Sequence, residues 1–190
     1  MAKLEVIVAS TRPGRIGLPV GRWIAEEAVA HGAFSEVELV DLAEVNLPFL
    51  DEPHHPRLGK YTHQHTRDWS AKVASADAFT FVMPEYNYGF NAPLKNAIDF
   101  LHHEWLHKPV GLVSYGGVSA GTRAAQMIKQ VLSALRMVVV PDAVSIPFVQ
   151  QFLDEDGAIA PNDVMTSAAK TMFAELVRLS DALRPLRDGA

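Results

Sequence analysis

Short runs of branched apolar residues alternate along this chain with longer segments whose apolar residues recur at helical spacing. The short runs predict strands buried on both faces, at Leu4–Ala9, Val37–Leu42, Ala78–Met83, Pro109–Ser114 and Met137–Val140. The longer segments predict helices at Leu18–Ala30, Tyr61–Ser75, Ala92–Leu101, Ser119–Leu135 and Asp163–Leu183. Strands separated by helices form a parallel sheet with right-handed crossovers. We therefore expect an α/β fold with five parallel strands and helices on both faces of the sheet.

The chain length fits one domain. A chain of 190 residues, 48% of them hydrophobic, is long enough to bury one core and short for two. We therefore expect residues 1–190 to form a single domain. The stretches 46–59 and 145–162 lack a periodic apolar pattern and predict surface loops rather than a domain boundary.

Charge and composition exclude several functions. The net charge of -5 provides no basic face for nucleic acid or for a membrane surface. No apolar run approaches the roughly 18 residues of a membrane span. The absence of cysteine excludes disulfides and a thiolate nucleophile. The N-terminus enters a strand without a signal-peptide pattern, so we expect a cytoplasmic protein.

The turn after the first predicted strand carries groups that bind anions. It offers the hydroxyls of Ser10 and Thr11, the guanidinium groups of Arg12 and Arg15, and backbone N–H groups that lead into a helix near Gly17. Helix N-termini and arginine both attract phosphate. The turn has neither a Walker loop nor the dinucleotide fingerprint, so we expect a mononucleotide phosphate. The alternative is a solvated loop whose arginines pair with acidic residues.

The turn after the third predicted strand, residues 84–91, carries Pro, Asn and three aromatic residues. Its amides could bind the edge of a heterocycle, and Tyr86, Tyr88 and Phe90 could contact the face of that ring or a neighbouring subunit. Taken singly, such aromatics more often pack in a core or an interface. Glu85 could act as a general acid or base, but a carboxylate at a helix entrance more often stabilises the helix N-terminus.

The turn after the fourth predicted strand, residues 114–121, places Gly116 and Gly117 beside Tyr115. Two glycines let the backbone approach a flat ring closely. The alternative is a tight turn that ends in a helix capped by Ser119. Because the carboxyl ends of parallel strands share one edge of the sheet, the three turns predict one composite site. Flavodoxin-type folds bind FMN at such an edge.

Two further site classes are less consistent with the sequence. Histidines cluster at positions 54–65 and 102–107, but neither group has the cysteine or Glu-x-x-His partners that complete a zinc site. Ser114 lacks the Gly-x-Ser-x-Gly context of a hydrolase nucleophile. We therefore expect neither a metal centre nor acyl transfer.

These turns resemble those of the NADPH-dependent FMN reductase family, which comprises flavodoxin-like quinone, azo-dye and chromate reductases. Pro84-Glu85-Tyr86-Asn87 followed by Pro93-Leu94-Lys95-Asn96-Ala97-Ile98-Asp99 is the specific block. Ser10-Thr11-Arg12, Gly14-Arg15, Gly17 and Ser114-Tyr115-Gly116-Gly117 support it. The resemblance covers nearly the whole chain and implies a flavodoxin-like sheet with strand order 2-1-3-4-5. After Asn87 this chain has Tyr-Gly-Phe-Asn-Ala where many relatives have Gly-Ser-Ile-Pro-Gly.

The resemblance also implies which residues bind the cofactor. It assigns the FMN phosphate to Ser10, Arg12, Arg15, Ile16 and Gly17. It assigns one border of the isoalloxazine ring to Pro84, Glu85, Tyr86, Asn87 and Tyr88, and the other edge to Ser114, Tyr115, Gly116 and Gly117. The flavin carries the chemistry, so the resemblance implies no catalytic side chain and no metal.

The function that follows is an FMN-dependent NAD(P)H oxidoreductase. Reduced nicotinamide gives a hydride to the flavin, and a small-molecule acceptor of quinone type, or a flavin, azo dye or chromate, then takes the electrons. The alternatives are a flavodoxin-like electron carrier and a non-catalytic flavin-binding protein. The resemblance further implies a homodimer or homotetramer with flavin sites beside a subunit interface, so we expect Phe90, Phe100 and Trp105 to face a partner chain.

Overall fold

A computed structural model describes residues 1–188 of the protein, and its strands form one parallel sheet. They are β1 (Ala2–Val8), β2 (Phe34–Asp41), β3 (Ala78–Pro84), β4 (Pro109–Tyr115), β5 (Val138–Val139) and β6 (Val144–Ile146). The order across the sheet is β2-β1-β3-β4-β5, and β6 also pairs with β4. This confirms the expected α/β class and the flavodoxin-like strand order 2-1-3-4-5.

Helices cover both faces of the sheet, as expected. They are α1 (Gly17–His31), α2 (Leu42–Val45), α3 (Gln64–Ser75), α4 (Ala92–Asp99), α5 (Thr122–Ala134) and α6 (Asp163–Asp188). One core joins α1 and α6 to the sheet through residues such as Ile24 and Phe173. The other joins α3, α4 and α5 to the opposite face through residues such as Trp69 and Ile128. Within residues 1–188, no helix is both long and apolar enough to cross a membrane.

The fifth position of the sheet is divided between two short strands. β5 pairs with the start of β4 at Pro109 and Val110, whereas β6 pairs with its end at Val113 to Tyr115. Four residues, 140–143, connect β5 to β6, whereas only two residues of β4 separate the paired positions Val110 and Val113. One of the four is Pro141, which has no N–H to donate to a ladder. The prediction of a surface loop over 145–162 is therefore wrong at its start, where Ile146 and Val149 are buried.

Several element boundaries differ from the prediction for local reasons. Strand β2 begins at Phe34 rather than Val37. Helix α3 begins at Gln64 rather than Tyr61, because the Glu52 carboxylate accepts hydrogen bonds from the backbone N–H groups of Thr62 (2.7 Å) and His63 (2.9 Å). Those residues are thereby held ahead of the helix. Gly32 ends α1 in the left-handed conformation, at φ 74°, as the sequence predicts.

Two of the aromatic residues expected at a subunit interface lie instead in the core. Phe100 and Trp105 are fully buried within the chain. The Trp105 indole donates to the carbonyl of Ile98 (3.1 Å) and packs against Phe79, with ring centroids 5.0 Å apart. Phe90 is partly buried against the same core. The expectation is wrong for Phe100 and Trp105, because Phe100, the C-cap of α4, and Trp105, in the 3₁₀ turn His103–Trp105, both pack into the core of their own chain.

Candidate functional site

Four loops meet at the carboxyl edge of the sheet. They follow β1, β3, β4 and β6, whose positions are adjacent in the strand order. Together they surround a cavity of about 220 Å³. Several of the residues predicted to bind the cofactor line this cavity. They are Ser10, Arg12, Arg15, Ile16, Pro84, Glu85, Tyr86, Tyr115, Gly116 and Gly117. The structure therefore brings the three predicted turns together around one space.

The first turn presents an uncapped helix N-terminus to this cavity. Ile16 occupies the N-cap position of α1 and provides no side-chain cap. The first backbone N–H groups of the helix consequently have no intrahelical partner, and the helix dipole favours an anion beside them. Arg12 lies exposed on the same turn, where the carbonyl of Arg12 accepts a bond from the N–H of Arg15 (3.1 Å). This combination is suited to a phosphate group.

Arg15 has a different role from Arg12. Its Nη2 donates to Oδ2 of Asp41, a carboxylate at the end of β2 whose side chain is buried. The other carboxylate oxygen of Asp41 accepts from the N–H of Ala43 (3.0 Å) at the start of α2. Arg15 therefore links the first turn to β2. Its Nε is buried and has no hydrogen-bond partner within the described chain.

Tyr115, the last residue of β4, reaches into the first turn. A Cβ atom on Gly17 would lie 2.5 Å from the Tyr115 hydroxyl oxygen. That hydroxyl is buried and has no well-formed hydrogen bond within residues 1–188. Burial raises the pKa of the Tyr115 phenol above its ordinary value, so the group stays neutral and keeps its proton. The arrangement fits a phosphate, whose oxygens could accept from this hydroxyl and from the helix N–H groups.

The second turn is a two-residue reversal fastened to the first turn. Tyr86 and Gly89 exchange two backbone hydrogen bonds of 2.9 Å, and the two residues between them, Asn87 and Tyr88, have φ of 50° and 69°. These are the features of a type I′ turn. The Tyr86 hydroxyl lies 3.2 Å from Oγ of Ser10. The first two walls of the cavity are therefore joined by a side-chain hydrogen bond.

Glu85 joins the second turn to the third. Its buried carboxylate accepts hydrogen bonds from Oγ of Ser119 (3.0 Å), from the backbone N–H of Arg123 (3.2 Å) and from Nε of Arg123 (2.6 Å). Burial alone would raise the pKa of this carboxyl, but these hydrogen bonds lower it below the ordinary value. Glu85 is thus an ionised structural group. It stabilises the N-terminus of α5, not that of the helix that follows it in sequence.

The third turn is held by its own side chains and backbone. Oγ of Ser114 donates to the carbonyl of Ala120 (2.9 Å). Helix α5 begins at Thr122 with Gly121 as N-cap. The predicted helix start at Ser119 is therefore wrong, and so is the alternative in which Ser119 caps the helix. A side chain on Gly121 would come within 2.8 Å of the Tyr115 backbone nitrogen. Only glycine therefore fits there, and Ser119 is left to bind Glu85.

A fourth loop was missed by the sequence analysis. Phe148, Val149 and Gln150, just after β6, complete the cavity lining. The N–H of Phe148 donates to the carbonyl of Gly117 (3.2 Å), which ties this loop to the third turn. The alternation of apolar Val144 and Ile146, followed at once by a proline, was the available signal. It repeats the strand-then-turn pattern of the other three walls.

The comparisons with known proteins agree with this geometry. A family model for NADPH-dependent FMN reductases matches residues 2–151. The chain belongs to this family. Among its relatives, an NAD(P)H-dependent FMN reductase of Schizosaccharomyces pombe is 43% identical over 141 residues, which cover 73% of this chain and 70% of that protein. An NAD(P)H:quinone oxidoreductase of Solanum tuberosum is 36% identical over 99 residues, 50% of this chain and 49% of that one.

The fold of this FMN reductase family member also matches a solved structure. FerB, a flavoenzyme NAD(P)H:(acceptor) oxidoreductase of Paracoccus denitrificans, superposes with a TM-score of 0.75 at 18% identity. The match covers 96% of this chain and 98% of FerB. At this identity the likeness establishes the shared fold alone.

Some predicted cofactor residues of this family member lie outside the cavity lining. They are Gly17, Asn87, Tyr88 and Ser114. Gly17 lies beneath the Tyr115 hydroxyl, Ser114 is buried in the turn, and Asn87 and Tyr88 form the exposed tip of the second turn. Thr11 instead lines a separate concavity of about 550 Å³ between α2 and α4, where residues such as Leu42 and Phe49 make the walls apolar. Helix α4 begins at this larger space, but no arginine or lysine is among the described residues that line it.

Three histidines from the two sequence clusters contact nearby residues of the chain. Nε2 of His65 lies 3.0 Å from a carboxylate oxygen of Asp51, and its ring stacks on His63 with centroids 5.2 Å apart. Nε2 of His103 lies 2.8 Å from the carbonyl oxygen of Arg57. In the described part of the chain, no group of three or more histidine, aspartate or glutamate side chains is arranged to hold a metal ion.

Proposed function

We propose that the protein oxidises NAD(P)H through bound FMN and passes the electrons to a small-molecule acceptor of quinone type, with residues 1–190 acting as one FMN-binding domain. The observation that carries the proposal is the convergence of phosphate-binding groups in one wall of the cavity. Arg12, the open N-terminus of α1 and the buried Tyr115 hydroxyl lie on or against the same turn. The name of the potato relative, a quinone oxidoreductase, supports the acceptor class.

The first turn binds the phosphate in this proposal. The N–H groups at the start of α1 donate to the phosphate without any change in secondary structure. Arg12, on the solvent side, adds a charge-assisted hydrogen bond to the same phosphate. Arg15 acts indirectly, because its guanidinium is held by Asp41. It fixes the position of the turn relative to β2.

The remaining loops would border the flavin ring. Bound FMN supplies the redox chemistry, taking two electrons from reduced nicotinamide and giving them to the acceptor. Gly116 and Gly117 expose backbone without side chains, and Gly117 has open space where a Cβ would be. Glu85 is ionised and committed to Ser119 and Arg123. Among the described residues that line the cavity, the one carboxylate is therefore engaged in structural hydrogen bonds.

The size of the cavity indicates where the substrates bind. Its volume of about 220 Å³ is below the roughly 300 Å³ at which small-molecule sites usually begin. A mononucleotide would fill it and extend over the rim. NAD(P)H and the acceptor then meet the flavin at the open rim, where they have to bind in turn.

Flavin titration followed by anaerobic reduction tests the proposal. The protein should quench FMN fluorescence at a stoichiometry of about one, should bind FMN more tightly than FAD, and should have its bound flavin bleached by NAD(P)H before a quinone restores the colour. Binding without bleaching by NAD(P)H would identify an electron carrier. Bleaching without steady-state turnover would identify a non-catalytic flavin protein. A lack of any flavin binding would refute the proposal at its first step.

A homodimer or homotetramer is part of the same proposal. Exposed apolar side chains support it, notably Phe49 and Leu58 on the loop between β2 and α3, which are 85% and 59% exposed. Burial of such residues against a second copy is favourable. Light scattering after size-exclusion chromatography measures the mass, and a monomer at micromolar concentration would contradict this part.

A further inference from the structure

Tyr88 occupies a backbone conformation that its side chain disfavours. It is the second central residue of the type I′ turn closed by Tyr86 and Gly89, with φ at 69°. Glycine is strongly preferred at that position, and a bulky residue there is strained. The residue is nevertheless 67% exposed. The strain is therefore not offset by burial within this chain.

A cation–π contact with Arg123 positions the exposed ring of Tyr88. The guanidinium carbon of Arg123 lies 3.9 Å from the centroid of the Tyr88 ring. Arg123 is itself fixed, since its Nε donates to the buried carboxylate of Glu85 (2.6 Å) and its Nη2 to Oγ of Ser119 (2.7 Å). A cation over an aromatic face is attractive. One face of the Tyr88 ring is thus covered by the guanidinium of Arg123.

Tyr88 lies on the second turn, close in sequence to residues that line the cavity, although it is not itself part of the lining. Glu85, which holds Arg123 in place, and Tyr86, two residues before Tyr88, both line the cavity. Two other exposed apolar side chains belong to the neighbouring walls, Val118 after β4 and Phe148 after β6. Exposed apolar side chains on the loops that form a polar cavity favour a guest with a flat, apolar body.

We propose that Tyr88, held by Arg123, is the residue that selects planar aromatic electron acceptors. The inference rests on the proposed function and names the acceptor-binding contact of the same site. With one ring face on Arg123, Tyr88 offers its remaining face and edge to the ring of a quinone. A compact inorganic acceptor such as ferricyanide has no flat apolar face and gains nothing from this contact.

The test compares two acceptors on the FMN-loaded protein. Tyr88→Gly suits the left-handed backbone, so the turn should keep its shape while the ring is lost. We expect the KM for 1,4-naphthoquinone to rise about 3- to 10-fold relative to the KM for ferricyanide, the range for loss of one aromatic contact. Tyr88→Phe, which keeps the ring, should have the same ratio of the two KM values as the wild type. Val164→Ser, which changes an exposed apolar residue on α6 outside the cavity lining, is the control.

The contact between Arg123 and the Tyr88 ring is tested by Arg123→Met. This change should raise the same KM ratio by a smaller factor, and in the Tyr88→Gly background it should add nothing further. A KM ratio that stays at the wild-type value in Tyr88→Gly would overturn the inference, as would a KM that rises equally for both acceptors. Loss of oligomeric mass in Tyr88→Gly would overturn it in favour of a subunit contact.

The failure of the proposed function would look different. In that case the wild-type protein itself would bind no FMN or would not be reduced by NAD(P)H, and both proposals would fall together. A wild-type enzyme that turns over both acceptors, with an unchanged ratio in Tyr88→Gly, would overturn the selection by Tyr88 alone.

Discussion

The hydroxyl oxygen of Tyr115 lies against the backbone of Gly17, at a distance that leaves no room for a side chain. A Cβ atom at position 17 would be 2.5 Å from that oxygen. The end of β4 and the start of α1 are therefore matched to each other at the base of the cavity. The glycine is required here by close approach, not by an unusual backbone angle.

This contact predicts the effect of Gly17→Ala. The added methyl group should destabilise the protein by about 1–3 kcal/mol, the usual cost of overpacking a well-packed site, and should weaken FMN binding. Adding Tyr115→Phe removes the oxygen and should recover most of the stability. Urea denaturation without flavin measures it, with Gly117→Ala as control because nothing lies within 4 Å of a Cβ there. Failure of the double variant to recover would refute the contact.

Arg12→Ala should weaken FMN binding with little effect on stability. Arg12 is exposed on the first turn, and a hydrogen bond to a charged group contributes about 1.5–3 kcal/mol. Riboflavin, which lacks the phosphate, should lose much less affinity. Fluorescence titration with both ligands makes the comparison, and Arg22→Ala, an exposed arginine on α1, is the control. Equal losses for FMN and riboflavin would exclude a phosphate contact.

Arg15→Met should act mainly on stability. It leaves the buried Asp41 carboxylate without its cation, and breaking a buried pair typically costs about 3–5 kcal/mol. In the double variant Arg15→Met/Asp41→Asn the buried charge is gone, so the loss should be smaller. The free energy of unfolding in the absence of flavin is the measurement. If the double variant is as unstable as the single one, the pair is not coupled.

Stability should depend on pH through Glu5. This residue is fully buried in β1, and burial together with the nearby Glu38 charge raises the pKa of its carboxyl from 4.5 to about 7. Between these values the folded state holds more protons than the unfolded state, so the free energy of unfolding falls as pH rises from about 4.5 to about 7. The loss is on the order of 3 kcal/mol.

Glu5→Gln tests this prediction, because glutamine cannot ionise. The variant should be more stable than wild type at pH 8 and should show a flatter profile between pH 5 and 8 in urea denaturation. Glu26→Gln, on the exposed side of α1, should keep the wild-type profile. Parallel profiles for wild type and Glu5→Gln would show that Glu5 does not carry the effect.

The proposed function predicts the kinetic pattern. If donor and acceptor reach the flavin through one shared opening of the cavity, the product of the first half-reaction has to leave before the second substrate binds. Steady-state rates with NAD(P)H and a quinone should give parallel double-reciprocal lines, the mark of a ping-pong sequence. Intersecting lines would require both substrates to be bound at once and would contradict a shared opening.

The strands and the three turns were predictable because their signals are local. A run such as Val6-Ile7-Val8 is buried on both faces whatever surrounds it, and the turns follow such runs directly. Long-range partners were not predictable. Nothing near Glu85 in sequence indicates that its carboxylate binds Arg123, and nothing near Arg15 indicates Asp41. Strand β6 was missed because three residues carry too little pattern, and Trp105 was misplaced because exposure depends on tertiary packing.

The interruption between β5 and β6 has a consequence for redesign of the enzyme. Residues 140–143 separate a strand that completes the core from one that delivers Phe148 to the cavity. Changes in loop length at this point should therefore move the fourth wall while the pairing of β5 with Pro109 and Val110 is kept. Val140 is buried in the core, whereas residues 141–143 are exposed or half-buried. Libraries that vary residues 141–143 would therefore sample new shapes of the fourth wall at little cost in folding, and so could alter the substrate range.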